Sequence, residues 1–155
     1  MSEPFPGAGR RTPEHGVHLQ ADQPTFVFLT VCARDREPWL AQSPIERGLK
    51  DCWLASDTWL VGEYLLMPDH LHLFCGPKDT SVELSRWVRW WKRRFSCLGV
   101  SGAGCWQRDY WDTRIRDREH YEKKWWYVRE NPVRAGLVES PEEWPFQGRL
   151  HVLRW

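Results

Sequence analysis

The pattern of apolar and polar residues predicts alternating strands and helices. Runs rich in β-branched and aromatic residues predict strands over 25–33, 58–68, 70–76 and 105–116. Apolar residues recur at helical spacing over 43–57, 81–99 and 117–132. The resulting order is β-α-β-β-α-β followed by a helix. This order predicts an α+β split βαβ fold, with an antiparallel four-stranded sheet and two helices on one face. The last helix is free to lie elsewhere and carry functional residues.

Capping residues predict where the three helices begin. Ser43 is a candidate N-cap for the first helix. Thr80 or Ser81 is a candidate for the second, because Glu83 follows Thr80 by three residues as in a capping box. Asp117 is the candidate for the third helix. Residues 132–138, PVRAGLV, predict a brief extra turn that Gly136 stops, and the rest of the chain predicts an irregular tail.

The chain of 155 residues predicts one domain, over 25–155. Residues 1–24 lack periodicity and are interrupted by Pro and Gly, so we expect a mobile N-terminal arm. The five cysteines are odd in number and form no CxxC pair, which argues against a disulfide framework or a zinc knuckle. Reduced thiols indicate a cytoplasmic protein. No apolar run reaches about 18 residues, so we expect no membrane span.

The stretch MPDHLHLFCGP, residues 67–77, carries two histidines one residue apart. Residues i and i+2 of a strand point to the same face, so His70 and His72 project together. Imidazole binds transition metals well, and oxygen donors or water would have to complete such a site. The spacing alone leaves two interpretations open, a metal site and a pair of histidines packed on the sheet.

Tyr127 and Asn131 lie four residues apart near the end of the third predicted helix. Positions i and i+4 share a helix face, so Asn131 could help to ligate a metal ion beside the Tyr127 hydroxyl. Pro132 disfavours helical geometry at Asn131, which could distort this relation. An ionised tyrosine is a competent nucleophile, and a nearby cation would stabilise it. The alternative is that Tyr127 is a core aromatic residue.

Positive charge is concentrated locally, although the net charge is only +1. Residues 86–94, RWVRWWKRR, contain five positive charges interleaved with tryptophans. A solvated helix face is the simpler explanation. A basic surface with aromatic rings also suits phosphates and unpaired bases, and we favour this second interpretation. The predicted DNA-binding residues are Arg86, Arg89, Lys92, Arg93, Arg94, Arg108, Arg114 and Arg116.

Three segments in this order resemble the REP-associated tyrosine transposases of the HUH superfamily of single-strand nucleases: MPDHLHLF, WQRDYWDTRIRD and YVRENPVRAGLVESPEEWPF. The resemblance covers about residues 25–147 and implies a ferredoxin-like fold. It implies that His70 and His72 bind a divalent metal, Mg²⁺ or Mn²⁺. It further implies that Asn131 completes the metal site and that Tyr127 is the catalytic nucleophile.

The implied activity is metal-dependent nicking and rejoining of single-stranded DNA at hairpin elements, through a 5′-phosphotyrosine. The implied partner is single-stranded DNA with palindromic hairpins, bound by a monomer or a homodimer. Two alternatives stay open. The first is a non-catalytic DNA-hairpin-binding protein derived from a transposase. The second is a metal-dependent hydrolase that acts on a small phosphoester with water and leaves no protein–DNA adduct.

Overall fold

The computed structural model describes residues 25–154, so the predicted N-terminal arm over 1–24 lies outside the described residues. Within that range the regular elements, in chain order, are β1 Phe26–Cys32, α1 Ser43–Leu54, β2 Trp59–Leu66, β3 His70–Pro77, α2 Leu84–Cys97, β4 Trp111–Ile115, α3 Arg118–Arg129, α4 Asn131–Arg134 and β5 Gln147–Arg149. In this part of the chain, no helix is long and apolar enough to cross a membrane.

The strands form one antiparallel sheet in the order β4-β1-β3-β2-β5. The predicted α+β fold is confirmed, with β1 and β3 as central neighbours. The register places Thr30 of β1 opposite His72 of β3. The fifth strand was not predicted, because it is only three residues long and contains Gly148. A Cβ atom on Gly148 would lie 2.9 Å from the Tyr64 hydroxyl oxygen, which explains glycine at that position.

One face of the sheet is covered by α1 and α2. Val27, Leu29 and Val31 of β1 point to this face and pack in a cluster with Leu49 of α1 and Trp91 of α2. Tryptophans account for much of this core. The fully buried ones are Trp53, Trp59, Trp87 and Trp91.

The opposite face of the sheet is covered by α3. Phe26 and Phe28 alternate with the residues just described and pack in a separate cluster with Phe74 of β3 and Val128 of α3. Trp144 also belongs to this cluster, and its Nε1 donates a hydrogen bond to the carbonyl of a β2 residue at 2.9 Å. The last predicted helix therefore lies apart from the other two, as expected.

The start of α2 differs from the prediction. Neither Thr80 nor Ser81 caps the helix; Glu83 occupies the N-cap position and makes no side-chain cap. Asp79 Oδ1 accepts hydrogen bonds from the Ser81 backbone N–H at 2.9 Å and from its hydroxyl at 2.6 Å. These bonds hold the start of this segment in a turn. As a result, α2 begins only at Leu84.

The other helix ends follow local hydrogen bonding. The first bond of α1 runs from the Glu46 N–H to the Gln42 carbonyl at 2.9 Å, so Gln42 is the N-cap and the prediction of Ser43 is wrong. Asp117 is confirmed as the N-cap of α3, because its side chain accepts from the His120 N–H at 2.8 Å. Of the strand predicted over 105–116, only Trp111–Ile115 form a strand, which is β4.

Candidate functional site

His70 and His72 lie on the sheet face that α3 covers. Their rings are 4.8 Å apart between centroids and nearly perpendicular. Both side chains are buried, with 3% and 8% of their surface exposed. The predicted strand alternation therefore holds for this pair. The two imidazoles lie side by side and are largely shielded from solvent.

The Nδ1 atoms of both histidines have oxygen partners. His70 Nδ1 lies 2.8 Å from Asp69 Oδ1, and His72 Nδ1 lies 2.9 Å from the Thr30 hydroxyl. Asp69 is held in turn by Arg36, whose Nε donates to Asp69 Oδ2 at 2.9 Å. Metal-binding histidines typically have such a partner on the ring nitrogen that does not ligate.

The ionisation states fit neutral imidazoles beside a carboxylate. The hydrogen bond from His70, together with that from Arg36, lowers the pKa of Asp69 to about 2. Burial lowers the pKa of His70, and it lowers the pKa of His72 well below its usual range. A carboxylate only accepts hydrogen bonds, so the hydrogen of neutral His70 is on Nδ1 and its lone pair is on Nε2.

This donor set fits a divalent metal ion with mixed nitrogen and oxygen ligands. The neutral Nε2 of His70 is a suitable ligand, and the Thr30 hydroxyl allows the same tautomer in His72. Among residues 25–154, no group of three or more His, Cys, Asp or Glu side chains could hold a metal ion. An ion on the two histidines would therefore need further oxygen ligands from an amide, the substrate or water.

Helix α3 packs directly over the histidine strand. Tyr121 lies 4.1 Å from Phe74 between ring centroids. Lys124 Nζ lies 4.9 Å from the ring centre of Phe28, which stacks on His72 at 5.1 Å. The helix that carries Tyr127 therefore covers the histidine face of its own chain.

Arg134 connects the predicted nucleophile with the predicted third ligand. Its Cζ lies 4.0 Å from the ring centre of Tyr127, and its Nη2 donates to the Tyr127 carbonyl at 2.7 Å. The same Nη2 donates to Asn131 Oδ1. Asn131 begins α4 instead of lying within α3, with Pro132 in its first turn. The amide oxygen has a second lone pair, so this hydrogen bond leaves it able to ligate.

Four of the eight predicted DNA-binding residues line one groove of about 610 Å³ between α2 and residues 106–110. These residues are Arg89, Lys92, Arg93 and Arg108. Lys92 Nζ donates to the Gln107 and Arg108 carbonyls at 3.0 and 3.3 Å, which fixes this loop to the helix. Burial lowers the pKa of Lys92 to about 8.

The other four predicted DNA-binding residues do not line this groove. Arg86 and Arg94 lie on an exposed side of α2, where Arg94 Cζ is 5.6 Å from the Trp90 ring centre. Arg114 lies on β4 opposite Val27, and Arg116 follows that strand. The basic residues thus form one groove and several separate exposed positions.

Sequence reasoning missed three residues that contact the candidate site: Asp69, Thr30 and Arg134. Asp69 is adjacent to His70 in the sequence, and that adjacency was a signal that could have identified it. Arg134 follows Asn131 by three residues, which is also a neighbouring helix position. Thr30 has no comparable signal, because only the pairing of β1 with β3 brings it to His72.

Curated proteins similar to this chain include two that carry one family name. The REP-associated tyrosine transposase of Escherichia coli K12 is 28% identical over 87 residues, which cover 56% of this chain and 52% of that protein. A Haemophilus influenzae protein with the same family name is 27% identical over 94 residues, covering 52% of this chain and 53% of that protein. The chain thus spans about half the length of these relatives.

Among solved structures, a REP-associated tyrosine transposase bound to a REP hairpin matches with a TM-score of 0.64 and 21% identity. The match covers 91% of this chain and 81% of that one. No family model matches the chain. The predicted resemblance to REP-associated tyrosine transposases is confirmed by these proteins, and the structural match confirms the fold.

Proposed function

We propose that this protein nicks and rejoins single-stranded DNA at hairpin elements through a covalent tyrosine intermediate. One observation carries the proposal: α3, which bears Tyr127, packs on the sheet face where neutral His70 and His72 lie side by side. A helix that carries a candidate nucleophile and packs over a pair of metal-type ligands is the arrangement that a metal-assisted phosphoryl transfer needs. The named relatives support the same class of reaction.

We propose His70, His72 and Asn131 as the residues that would hold Mg²⁺ or Mn²⁺. A bound ion would supply charge that polarises the scissile phosphate. Asp69 and Thr30 orient the two imidazole rings through hydrogen bonds of 2.8 and 2.9 Å to their Nδ1 atoms, which leaves the Nε2 atoms as the proposed ligands.

Tyr127 is the proposed nucleophile. Its Oη forms a bond to phosphorus while the bond from phosphorus to the 3′ oxygen breaks. The phenolic proton is lost and the 3′ oxygen gains one, so the products are a 5′-phosphotyrosine and a 3′-hydroxyl. The Arg134 guanidinium lies 4.0 Å from the ring centre, where it favours the negative charge that develops on the phenol. Attack by a 3′-hydroxyl reverses the step and joins strands without ATP.

We propose that the groove lined by Arg89, Lys92, Arg93 and Arg108 binds DNA phosphates. Four cations face one carboxylate, Asp109, along this groove, so it attracts a polyanion. The structural relative is bound to a REP hairpin, and we infer a hairpin with single-stranded flanks as the partner here. The protein would act in the cytoplasm as a monomer or a homodimer.

A panel of labelled single-stranded hairpins tests the proposed function. Each hairpin is incubated with the protein and Mn²⁺ and then run on a denaturing protein gel. We expect a covalent adduct that carries the label, and we expect a chelator to prevent it. The double variant His70→Ala, His72→Ala should lose adduct formation while still binding DNA. Adduct formation at full rate in chelator would refute the metal role.

A non-catalytic hairpin-binding protein is the alternative. Asn131 Oδ1 accepts a hydrogen bond from Arg134, and the described residues offer no acidic third ligand, so the metal site depends on an amide. Tight binding across the panel with no adduct, in both Mg²⁺ and Mn²⁺, would favour this alternative.

A further inference from the structure

A second cavity lies beside α3, on the side away from the basic groove. It is a cleft of about 300 Å³ between α3, the middle of β2, β5 and residues 152–153. This volume is at the lower end of the range of about 300–1,000 Å³ for small-molecule sites. The residues that line it and matter here are Glu63, Arg118, Tyr121, Glu122, Trp126 and Arg149.

The cleft has an exposed aromatic wall. Trp126 and Val152 are the two most exposed large hydrophobic side chains among residues 25–154, at 62% and 61%, and both line this cleft. Trp125 and Tyr121 continue the wall toward the sheet, where both contact Phe74. Exposed apolar surface concentrated in a concave site indicates a ligand with a flat apolar face.

The charges of the cleft differ from those of the basic groove. Two carboxyl groups, Glu63 and Glu122, face two guanidinium groups, Arg118 and Arg149. This balanced set does not attract phosphate. Glu63 and Arg149 lie 4.0 Å apart, too far for a close hydrogen bond, so a ligand could contact both. Burial raises the pKa of Glu63, because desolvation disfavours its charged form.

We propose that this cleft binds one unpaired nucleobase carrying an exocyclic amino group, from the single-stranded flank of the DNA substrate. The ring would stack on Trp126, and stacking of bases on aromatic side chains tolerates any base. Glu63 would accept a hydrogen bond from the amino group, as carboxylates do with cytosine. Arg149 would donate to a ring nitrogen or carbonyl oxygen. Thymine has no amino group and would direct a carbonyl oxygen at Glu63.

The position of the cleft fits this role. Trp126 directly precedes Tyr127 on α3, and consecutive helical residues are separated by one step of about 100°. A strand with its reacting phosphate at Tyr127 therefore has nucleotides close to the cleft. This inference rests on the proposed function, since it takes single-stranded DNA as the substrate.

Fluorescence anisotropy on the Tyr127→Phe chain without metal tests the inference separately from cleavage. The probes are fluorescein-labelled hairpins with six-nucleotide single-stranded flanks of deoxycytidine, deoxyadenosine or thymidine. We expect the cytosine and adenine flanks to bind more tightly than the thymine flank. Adding Trp126→Ala should weaken binding of those two flanks about 5- to 150-fold, the factor given by about 1–3 kcal/mol per stacked base.

Two further variants separate stacking from base selection. Trp126→Phe should recover most of the lost affinity, because a ring remains. Glu63→Gln should reduce the preference over thymine and leave stacking in place.

Leu54→Ala is the control, since Leu54 is an exposed apolar side chain at the end of α1 that lines neither the cleft nor the basic groove. It should leave the flank preference unchanged. Equal effects of Trp126→Ala and Leu54→Ala would overturn the inference. So would a change of oligomeric state in Trp126→Ala without a change of flank preference, which would assign the cleft to a second copy of the chain. Adduct formation by the unmodified chain remains a separate measurement of the proposed function.

Discussion

Replacing Asp69 by asparagine should weaken metal binding at the histidine pair by changing a tautomer. Asp69 accepts from Arg36 Nε at 2.9 Å on one oxygen and contacts His70 Nδ1 at 2.8 Å with the other. In the variant, Arg36 still requires an acceptor, so the amide oxygen turns toward it and the amide NH₂ toward His70. Because NH₂ can only donate, Nδ1 must become the acceptor, and the hydrogen moves to Nε2.

The size of the effect follows from the role of such partners. Loss of a partner behind a metal-binding histidine typically costs about 10- to 100-fold in metal affinity. This corresponds to about 1.4–2.8 kcal/mol of binding free energy. We therefore expect Asp69→Asn to raise the Kd for Mn²⁺ by that factor, measured by isothermal titration calorimetry without DNA.

Removal of Arg36 should partly reverse the defect. In the double variant Arg36→Ala, Asp69→Asn, the amide is free to turn its oxygen to His70 and restore the original tautomer. The loss of affinity in the double variant should therefore be smaller than that in Asp69→Asn alone. Asp79→Asn is a matched control, because the Asp79 side chain also accepts two hydrogen bonds, but it is exposed to solvent and accepts them from Ser81. Unchanged Mn²⁺ affinity in Asp69→Asn, or equal losses in the single and double variants, would refute the reasoning.

Three other predictions concern different parts of the molecule. Arg134→Gln removes the cation over the Tyr127 ring, so adduct formation should slow about 2- to 30-fold in a gel time course, while DNA affinity stays the same. Lys92, with a pKa of about 8, is charged below that pH and neutral above it, so DNA affinity should fall about 2- to 5-fold from pH 7 to pH 9. Lys92→Arg should abolish that pH dependence. Gly104→Ala would place a Cβ 2.5 Å from Trp39 Cδ1, so urea unfolding should show about 1–3 kcal/mol of destabilisation.

The features that depend on local pattern were predictable from the sequence. Strand alternation placed His70 and His72 on one face, and helical spacing placed Leu84, Val88 and Trp91 toward the core, where all three are buried. These patterns report which side of an element meets the interior, and burial of apolar surface decides that side.

Competition between local hydrogen bonds was harder to predict. The side chain of Asp79 accepts hydrogen bonds from Ser81 and so forms a turn ahead of α2. In a capping box the Ser81 region would instead begin the helix, and the sequence does not indicate which of these two arrangements forms. Leu98 continues the helical spacing of Leu84, Val88, Trp91 and Phe95, and this spacing alone predicts that Leu98 packs with them against the core. The helix ends at Cys97, however, and Gly99 turns the chain with φ 61°, so Leu98 is 51% exposed.

The side chains that orient the candidate metal ligands are brought to them only by the tertiary structure. Thr30 reaches His72 only because β1 and β3 are neighbours, and Arg36 reaches Asp69 only because the turn after β1 bends back. Asp35 and Arg36 have positive φ values of 53° and 57°, a conformation that sequence alone does not indicate for these residues. The motif therefore predicted the candidate ligands, and the fold supplied the groups that orient them.

The central claim is that Tyr127 attacks DNA, and one comparison tests it most directly. The unmodified chain, Tyr127→Phe and Tyr121→Phe are incubated with the same labelled hairpin and Mn²⁺, and the adducts are separated on a denaturing gel. Tyr121 is the control because it lies on the same helix but packs on Phe74. The account predicts labelled adducts with the unmodified chain and with Tyr121→Phe, and none with Tyr127→Phe. An adduct that persists in Tyr127→Phe would contradict it.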